Sequence, residues 1–238
     1  MIQADEGSTG SLDAAIATPS AVAPAGWRGL VSDWSSDREA LHVSWGKAMM
    51  WIFLLSDTFI FSCFLIGYMT VRISTTVPWP NASEVFALQI AGADVPLLLI
   101  AIMTFVLISS SGTMAMAVNC AYRRDKVNAA TLMLVTATCG EIFVGMQAFE
   151  WSKLIMEGVR PWGNPMGAAQ FGSAFFMITG FHGLHVTGGV IFLFVVAFKL
   201  LHGDYDQAGN YQIVEIVGLY WHFVDLVWVF IFALFYLW

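Results

Sequence analysis

Between residues 47 and 237 the chain alternates five long apolar runs with shorter polar connections. The runs cover about 47–72, 95–121, 127–153, 170–199 and 213–237. Each exceeds the ~20 residues that an α-helix needs to cross a ~30 Å hydrocarbon core. The pattern predicts an all-α, polytopic membrane protein built as a five-transmembrane-helix bundle. The prolines at 19, 24, 78, 80, 96, 161 and 165 lie ahead of the runs, in connections or at a run's start, so no predicted helix is broken in its interior. The connection 73–94 is long and carries Pro78, Trp79 and Pro80, whereas 122–126, YRRDK, is a tight basic turn. Trp45, Trp51, Trp79, Trp151, Trp162 and Trp238 fall at or near run ends, where an aromatic belt sits at the headgroup level. No internal repeat is visible.

Residues 1–44 are rich in Ala, Ser, Pro and Gly. They lack the basic start and apolar core of a secretory signal. A flexible cytoplasmic tail is expected there, with a short interfacial piece around Trp27–Leu41, leaving 45–238 as the membrane domain. Composition points the same way: 58% of residues are hydrophobic and 11% charged, against roughly 25% charged in a soluble domain. The net charge is −7 and no basic run suits nucleic acid. Cys63, Cys120 and Cys139 all lie in apolar runs without a C-x-x-C, as free thiols do and a disulfide or zinc framework does not. Arg28, Arg38, Lys47, Arg123, Arg124, Lys126 and Lys199 fall on one side of the membrane, and Arg72, Lys153 and Arg160 on the other. The excess marks the first side as cytoplasmic, with the N-terminus in and the C-terminus out.

Ionisable residues inside the runs are the candidates for function, because each costs several kcal/mol if it faces lipid. At 1.5 Å per residue, Asp57 lies roughly 15 Å deep, His222 roughly 14 Å, His182 and Asp225 roughly 18 Å, and Glu141 roughly 21 Å, with His185 one turn beyond His182. Groups from four helices near one level predict a polar layer facing the bundle interior, with Asp57 buried. His222 and Asp225, three apart, share one helix face and are expected to make inter-helix hydrogen bonds. Gln147 and Glu150, one turn apart near the end of the third run, read as a hydrogen-bonding pair at the rim. His182 and His222 have the depth to face one another across a metal or haem; His182 and His185, on one helix, cannot bracket a haem. Hydrogen bonds across helices, to Asp225 or to backbone, account for the same imidazoles without a metal. Thr179, Gly183 and Thr187, and Ser109, Thr113 and Ala117, recur every four residues and predict faces for close helix approach.

The last run, within YWHFVDLVWVFIFALFYLW, resembles the final helix of subunit III of haem–copper terminal oxidases. It matches the family's W-H-F-x-D signature at Trp221, His222, Phe223 and Asp225, with Glu215 at the family's spacing before Trp221. GFHGLHVTGG in the fourth run is similar to the Phe-His-Gly-x-His-Val signature, and QAFEW in the third to Gln-Ala-x-Glu followed by Trp or Tyr. The first run, WIFLLSDTFIFSCFLIGY, resembles the first helix of the common core, with Asp57 where many members have glutamate. The likeness covers about 46–238. Seven-helix members have two further helices that this chain lacks, so it resembles the short five-helix bacterial branch, which serves cytochrome c oxidases and quinol oxidases.

The resemblance implies a subunit with no catalytic centre and no metal of its own. Haem and copper reside in the partner, subunit I, on which it packs directly, in a complex with subunit II and small subunits in the bacterial inner membrane. It implies phospholipids held in a cleft, support of proton uptake, and protection of the active site during turnover. Asp57, Glu141, Gln147, Glu150, His182, His185, Glu215, His222 and Asp225 are the residues for such a buried polar or lipid- and proton-related role. Additional partner helices, with lipid between, are expected in place of the two absent ones, and contacts with subunit I through the first two runs. A cytochrome c oxidase subunit is the leading reading. A quinol oxidase subunit and an accessory subunit of a nitric oxide reductase stay open, as do a haem-binding electron carrier and a small transporter, although transporters commonly show repeats and broken helices.

Overall fold

The computed structural model describes residues 44–90, 93–95, 97–205 and 211–238. The predicted tail and its interfacial piece lie outside them. Five helices are long and apolar enough to cross a membrane: α1 (Trp45–Ser74), α3 (Leu98–Tyr122), α4 (Lys126–Met156), α5 (Ala169–His202) and α6 (Gln212–Phe232), the last extended by a π-helical turn, Ala233–Leu237. All five predicted spans are present, with ends within a few residues of the apolar boundaries. The long connection after α1 contains a one-turn helix α2 (Ala82–Val85) and a small antiparallel hairpin, β1 (Leu88–Ile90) with β2 (Ala93–Val95). These leave the all-α architecture unchanged.

Local chemistry sets the turns. Asp125 in the basic turn caps α4 by accepting from the Asn128 N–H at 3.2 Å, satisfying a donor the first turn leaves free. α5 stops at Gly203, whose φ of 91° is a left-handed conformation that glycine adopts without a Cβ penalty.

Helices α3, α4, α5 and α6 form a four-membered ring in which α3 packs on α4 and α6, and α5 on α4 and α6. Its centre holds Phe143, Trp221 and Trp228, each fully buried, with the Phe143 and Trp228 rings edge to face at 4.7 Å. Indole N–H groups in an apolar core need acceptors. Trp221 donates to Ser110 Oγ at 3.0 Å and Trp228 to Thr104 Oγ1 at 3.0 Å, both on α3. Close approach runs through Gly140 and Gly189, over which Trp221 lies. The expected stripe of Thr179, Gly183 and Thr187 is not the seam: Thr187 is exposed and no atom lies within 4 Å of where a Gly183 Cβ would be. On α3, Ser109 likewise faces outward, whereas Thr113 bonds Thr136 at 2.7 Å.

α1 attaches through side chains rather than close backbone contact. Phe61 packs on Phe181 at 5.2 Å and Phe223 at 6.4 Å, and Tyr68 on Phe235 at 4.0 Å. Polar ties hold it at three levels: Lys47 to Glu215 near one end, Asp57 to His185 midway at 3.0 Å, and Tyr68 to the Leu234 carbonyl at 3.3 Å, with Arg72 beside it over the Trp238 ring, near the other. Its outer face, with Trp51, Ile52, Leu55, Phe59, Ile66 and Ile73, stays exposed. The Lys47–Glu215 pair is partly solvated, and such pairs contribute about 0–1 kcal/mol. Lys47→Met is therefore expected to change the thermal stability of the purified complex by no more than that, with the difference shrinking as salt rises; a larger, salt-independent loss would contradict the assignment.

Of the predicted belt, Trp45, Trp51, Trp162 and Trp238 are exposed. Trp79 and Trp151 turn inward instead. Trp79 packs edge-on against Tyr68 at 5.7 Å and Phe171 at 5.8 Å, and Trp151 donates to Thr179 Oγ1 at 3.2 Å. The long connection thus folds over one end of the bundle, with Phe86 buried 4.5 Å from the Tyr236 ring.

Candidate functional site

The polar groups within the spans form three separate clusters, and not one continuous layer. In the first, His185 of α5 meets Asp57 of α1, which is 5% exposed. His185 Nδ1 lies 2.8 Å from the Phe181 carbonyl of its own helix. A carbonyl only accepts, so Nδ1 carries a proton. One further proton then lies between Nε2 and the Asp57 carboxyl, on whichever atom, and the pair is neutral overall. Tyr220 of α6 donates to the His185 carbonyl at 2.9 Å, while Phe61 and Phe181 flank the imidazole at 5.4 and 4.7 Å. Asp57 is buried as expected, and its partner is a histidine from the fourth span.

The second cluster joins α6 to α3: His222 Nδ1 bonds Ser111 Oγ at 2.6 Å. Ser111 also adjoins the Asp225 carboxyl, whose Oδ1 has no partner among the described residues. His222 and His182 do not face each other. His182 is fully buried and stacks on Trp228 at 5.4 Å, with Phe143 edge-on at 5.9 Å; neither ring nitrogen has a hydrogen-bond partner among the described residues. His182 thus makes no hydrogen bond to Asp225 or to backbone. Among the described residues no three His, Cys, Asp or Glu side chains converge as a metal site requires.

The third cluster lies toward the far end of α4. Gln147 donates to Glu150 Oε2 at 2.8 Å, and Tyr236 donates to the same oxygen at 3.2 Å. The Gln147–Glu150 pair was expected at the rim; it is buried, at 6% and 3% exposure, because Tyr236 and the folded-over connection cover it. Besides His182, two members of the expected set fall outside these clusters. Glu215 pairs with Lys47 at the opposite end, beside a cleft of about 340 Å³ lined by Val118, Tyr122, Arg124 and Gln212 among others. Glu141 is a correction: it is exposed on the outer face of α4 and does not reach the interior.

Residues that complete the clusters but carried no signal in their own runs are Ser111, Tyr220 and Tyr236. The Ser109–Gly112 run within an apolar span was the one available hint, and it did not say which serine faces inward.

The pattern now has a counterpart among known proteins. The family model for cytochrome c oxidase subunit III matches residues 27–238. The chain belongs to the cytochrome c oxidase subunit III family. A probable cytochrome c oxidase subunit 3 of Mycobacterium leprae is 34% identical over 186 residues, covering 78% of this chain and 84% of that protein. The cytochrome bo(3) ubiquinol oxidase subunit 3 of Pseudomonas aeruginosa is 30% identical over 203 residues, 84% and 90% of the two chains. A probable quinol oxidase subunit 3 of Staphylococcus epidermidis is 32% identical over 192 residues, 80% and 88%. Subunit III of a haem–copper oxidase complex is thus the family role, shared by relatives named for both electron donors. His182, His185, His222 and Asp225, on which the resemblance in the sequence rests, all lie on the inner or half-buried faces of α5 and α6.

Proposed function

We propose that this chain is the non-catalytic subunit III of a cytochrome c oxidase of the bacterial inner membrane, with its N-terminus cytoplasmic and its C-terminus periplasmic. It stabilises the catalytic subunit, holds phospholipid and supports proton uptake, in a complex that reduces oxygen to water and pumps protons. Haem and copper belong to subunit I, with subunit II and small subunits alongside. The observation that supports a structural role is where the polar groups go. Asp57, His185, His222, Glu215 and Lys47 each bond a group on another helix, so side chains that a redox or transport site would direct at a ligand hold the helices in register. The exposed apolar faces of α1 and α3 are of the kind that subunit I, lipid or additional partner helices would cover.

A quinol oxidase is the second reading, favoured by the ubiquinol and quinol oxidase relatives. The test is the reduced-minus-oxidised spectrum, subunit composition and donor specificity of the intact complex carrying this chain. Oxidation of reduced cytochrome c by the complex is the expected result. Turnover with quinol alone establishes the second reading, and purification with a nitric oxide reductase defeats both. His222→Ala is expected to reduce recovery of this chain with the complex while haem and copper per catalytic subunit stay unchanged; loss of a stoichiometric metal from this chain would overturn the non-metal assignment.

A further inference from the structure

Glu141 is the sixteenth of the 31 residues of α4, about 22 Å from each end at 1.5 Å per residue. It is the midpoint of the helix, and so lies at mid-membrane when the span is centred on the bilayer. It is exposed on the outer face, the worst place in the chain for a carboxyl to meet lipid. The other polar groups on that face are self-sufficient: Thr131, Thr138 and Ser152 donate to carbonyls one turn back on α4 at 2.8, 2.9 and 2.8 Å. The Glu141 carboxyl makes no such bond to its own helix. Glu141 makes no hydrogen bond or ion pair with any described residue.

Shape agrees with chemistry. Thr138, Glu141, Gly145, Ala148 and Ser152 are all exposed and follow one another at steps of three, four, three and four. That is the spacing of a helix-packing seam, and apart from the carboxyl its members are small enough for close backbone approach. At Gly145 nothing lies within 4 Å of where a Cβ would be. α4 has already used its inner face on α3 and α5, so this seam is spare.

We propose that the Glu141 face of α4 receives a transmembrane helix of a different subunit, which presents a nitrogen hydrogen-bond donor (Lys, Arg, His, Asn or Gln) to Glu141 at mid-membrane. A second copy of this chain does not fit. Its mid-depth nitrogen donors are committed or enclosed: His185 to Asp57, His222 to Ser111, Gln147 to Glu150, and His182 within the aromatic core. A second α4 would bring only another carboxyl. The inference requires that the chain work within a multisubunit membrane complex, and is independent of whether the donor is cytochrome c or quinol.

The test uses the intact complex in native membranes. A photo-crosslinking residue is placed at Thr138 or Ala148 on the seam, and at Leu184 on the exposed face of α5 as control. The seam positions are expected to join one and the same transmembrane segment of another subunit, with a donor of the stated kind at its midpoint. In parallel, Glu141→Leu and Gly145→Leu are expected to lower recovery of that subunit several-fold, while Glu141→Gln, which still accepts a hydrogen bond, retains it. Seam photoproducts with lipid only, or with a second copy, would overturn the proposal. So would unchanged subunit content in both leucine variants, since Glu141→Leu in lipid would simply remove an unfavourable group.

Discussion

His185→Ala is expected to weaken the attachment of α1 far more than loss of both members of the Asp57–His185 pair. The single change leaves the Asp57 carboxyl buried with no partner in place of an imidazole at 3.0 Å. Breaking a buried ion pair from one side costs about 3–5 kcal/mol, and leaving a buried neutral polar group unsatisfied about 1–3 kcal/mol. These bracket the outcome for a proton held on His185 or on Asp57. Asp57→Leu with His185→Leu replaces a neutral, desolvated pair by apolar side chains and should lie near the parent, as buried pairs often do when exchanged for packed hydrophobes. A double-mutant cycle on thermal stability of the purified complex, with proteolysis of the connection after α1 as a second readout, measures the coupling. Additive single effects would show that the two residues do not act as a pair.

Gly140→Ala tests the other point on which the fold turns. A Cβ there would lie 2.5 Å from Trp221 Cη2 and 2.6 Å from Val190 Cγ2, so the meeting of α4, α5 and α6 has to open. Overpacking of this kind typically costs about 1–3 kcal/mol, and Gly140→Leu should prevent the ring from closing and remove the chain from the membrane fraction. Gly112→Ala is the control. It is also in a helix, but its Cβ meets nothing within 4 Å, and alanine's higher helix propensity favours it by up to about 1 kcal/mol. Equal effects at the two positions in a melting experiment would mean that Gly140 matters as a helix breaker and not as a contact.

These two results bear on the same question. The bundle is apolar inside and apolar outside, so transfer of hydrocarbon surface does little to choose one packing over another. Shape and hydrogen bonding choose it instead. Gly140 and Gly189 set the shape, by letting Trp221 lie across two helices. Asp57, His185, Ser110, Ser111 and Thr104 set the bonds. A subunit of an oxidase complex needs such specificity, because a helix rotated by one residue would carry its outer face away from a partner.

The sequence alone determined the number of spans and their limits. A hydrocarbon core about 30 Å thick demands about 20 apolar residues per helix and tolerates few charges, and both demands are written in linear order. Family membership was legible for the same reason, since its signatures are short and contiguous around His182, His185, His222 and Asp225. The rotation of each helix about its own axis was not legible. In a helix apolar on every side, periodicity hardly separates the core face from the lipid face, so the pattern puts Glu141 inside and Thr187 and Ser109 on packing faces, although all three face out. Pairing was hidden too. Asp57 and His185 are separated by 128 residues and Glu150 and Tyr236 by 86, and depth along the normal leaves several candidates at each level. Only the packed ring of α3 to α6, with α1 laid against α5 and α6, decides which of them meet, because steric fit around Trp221, Trp228 and Phe143 fixes the rotations that depth leaves free.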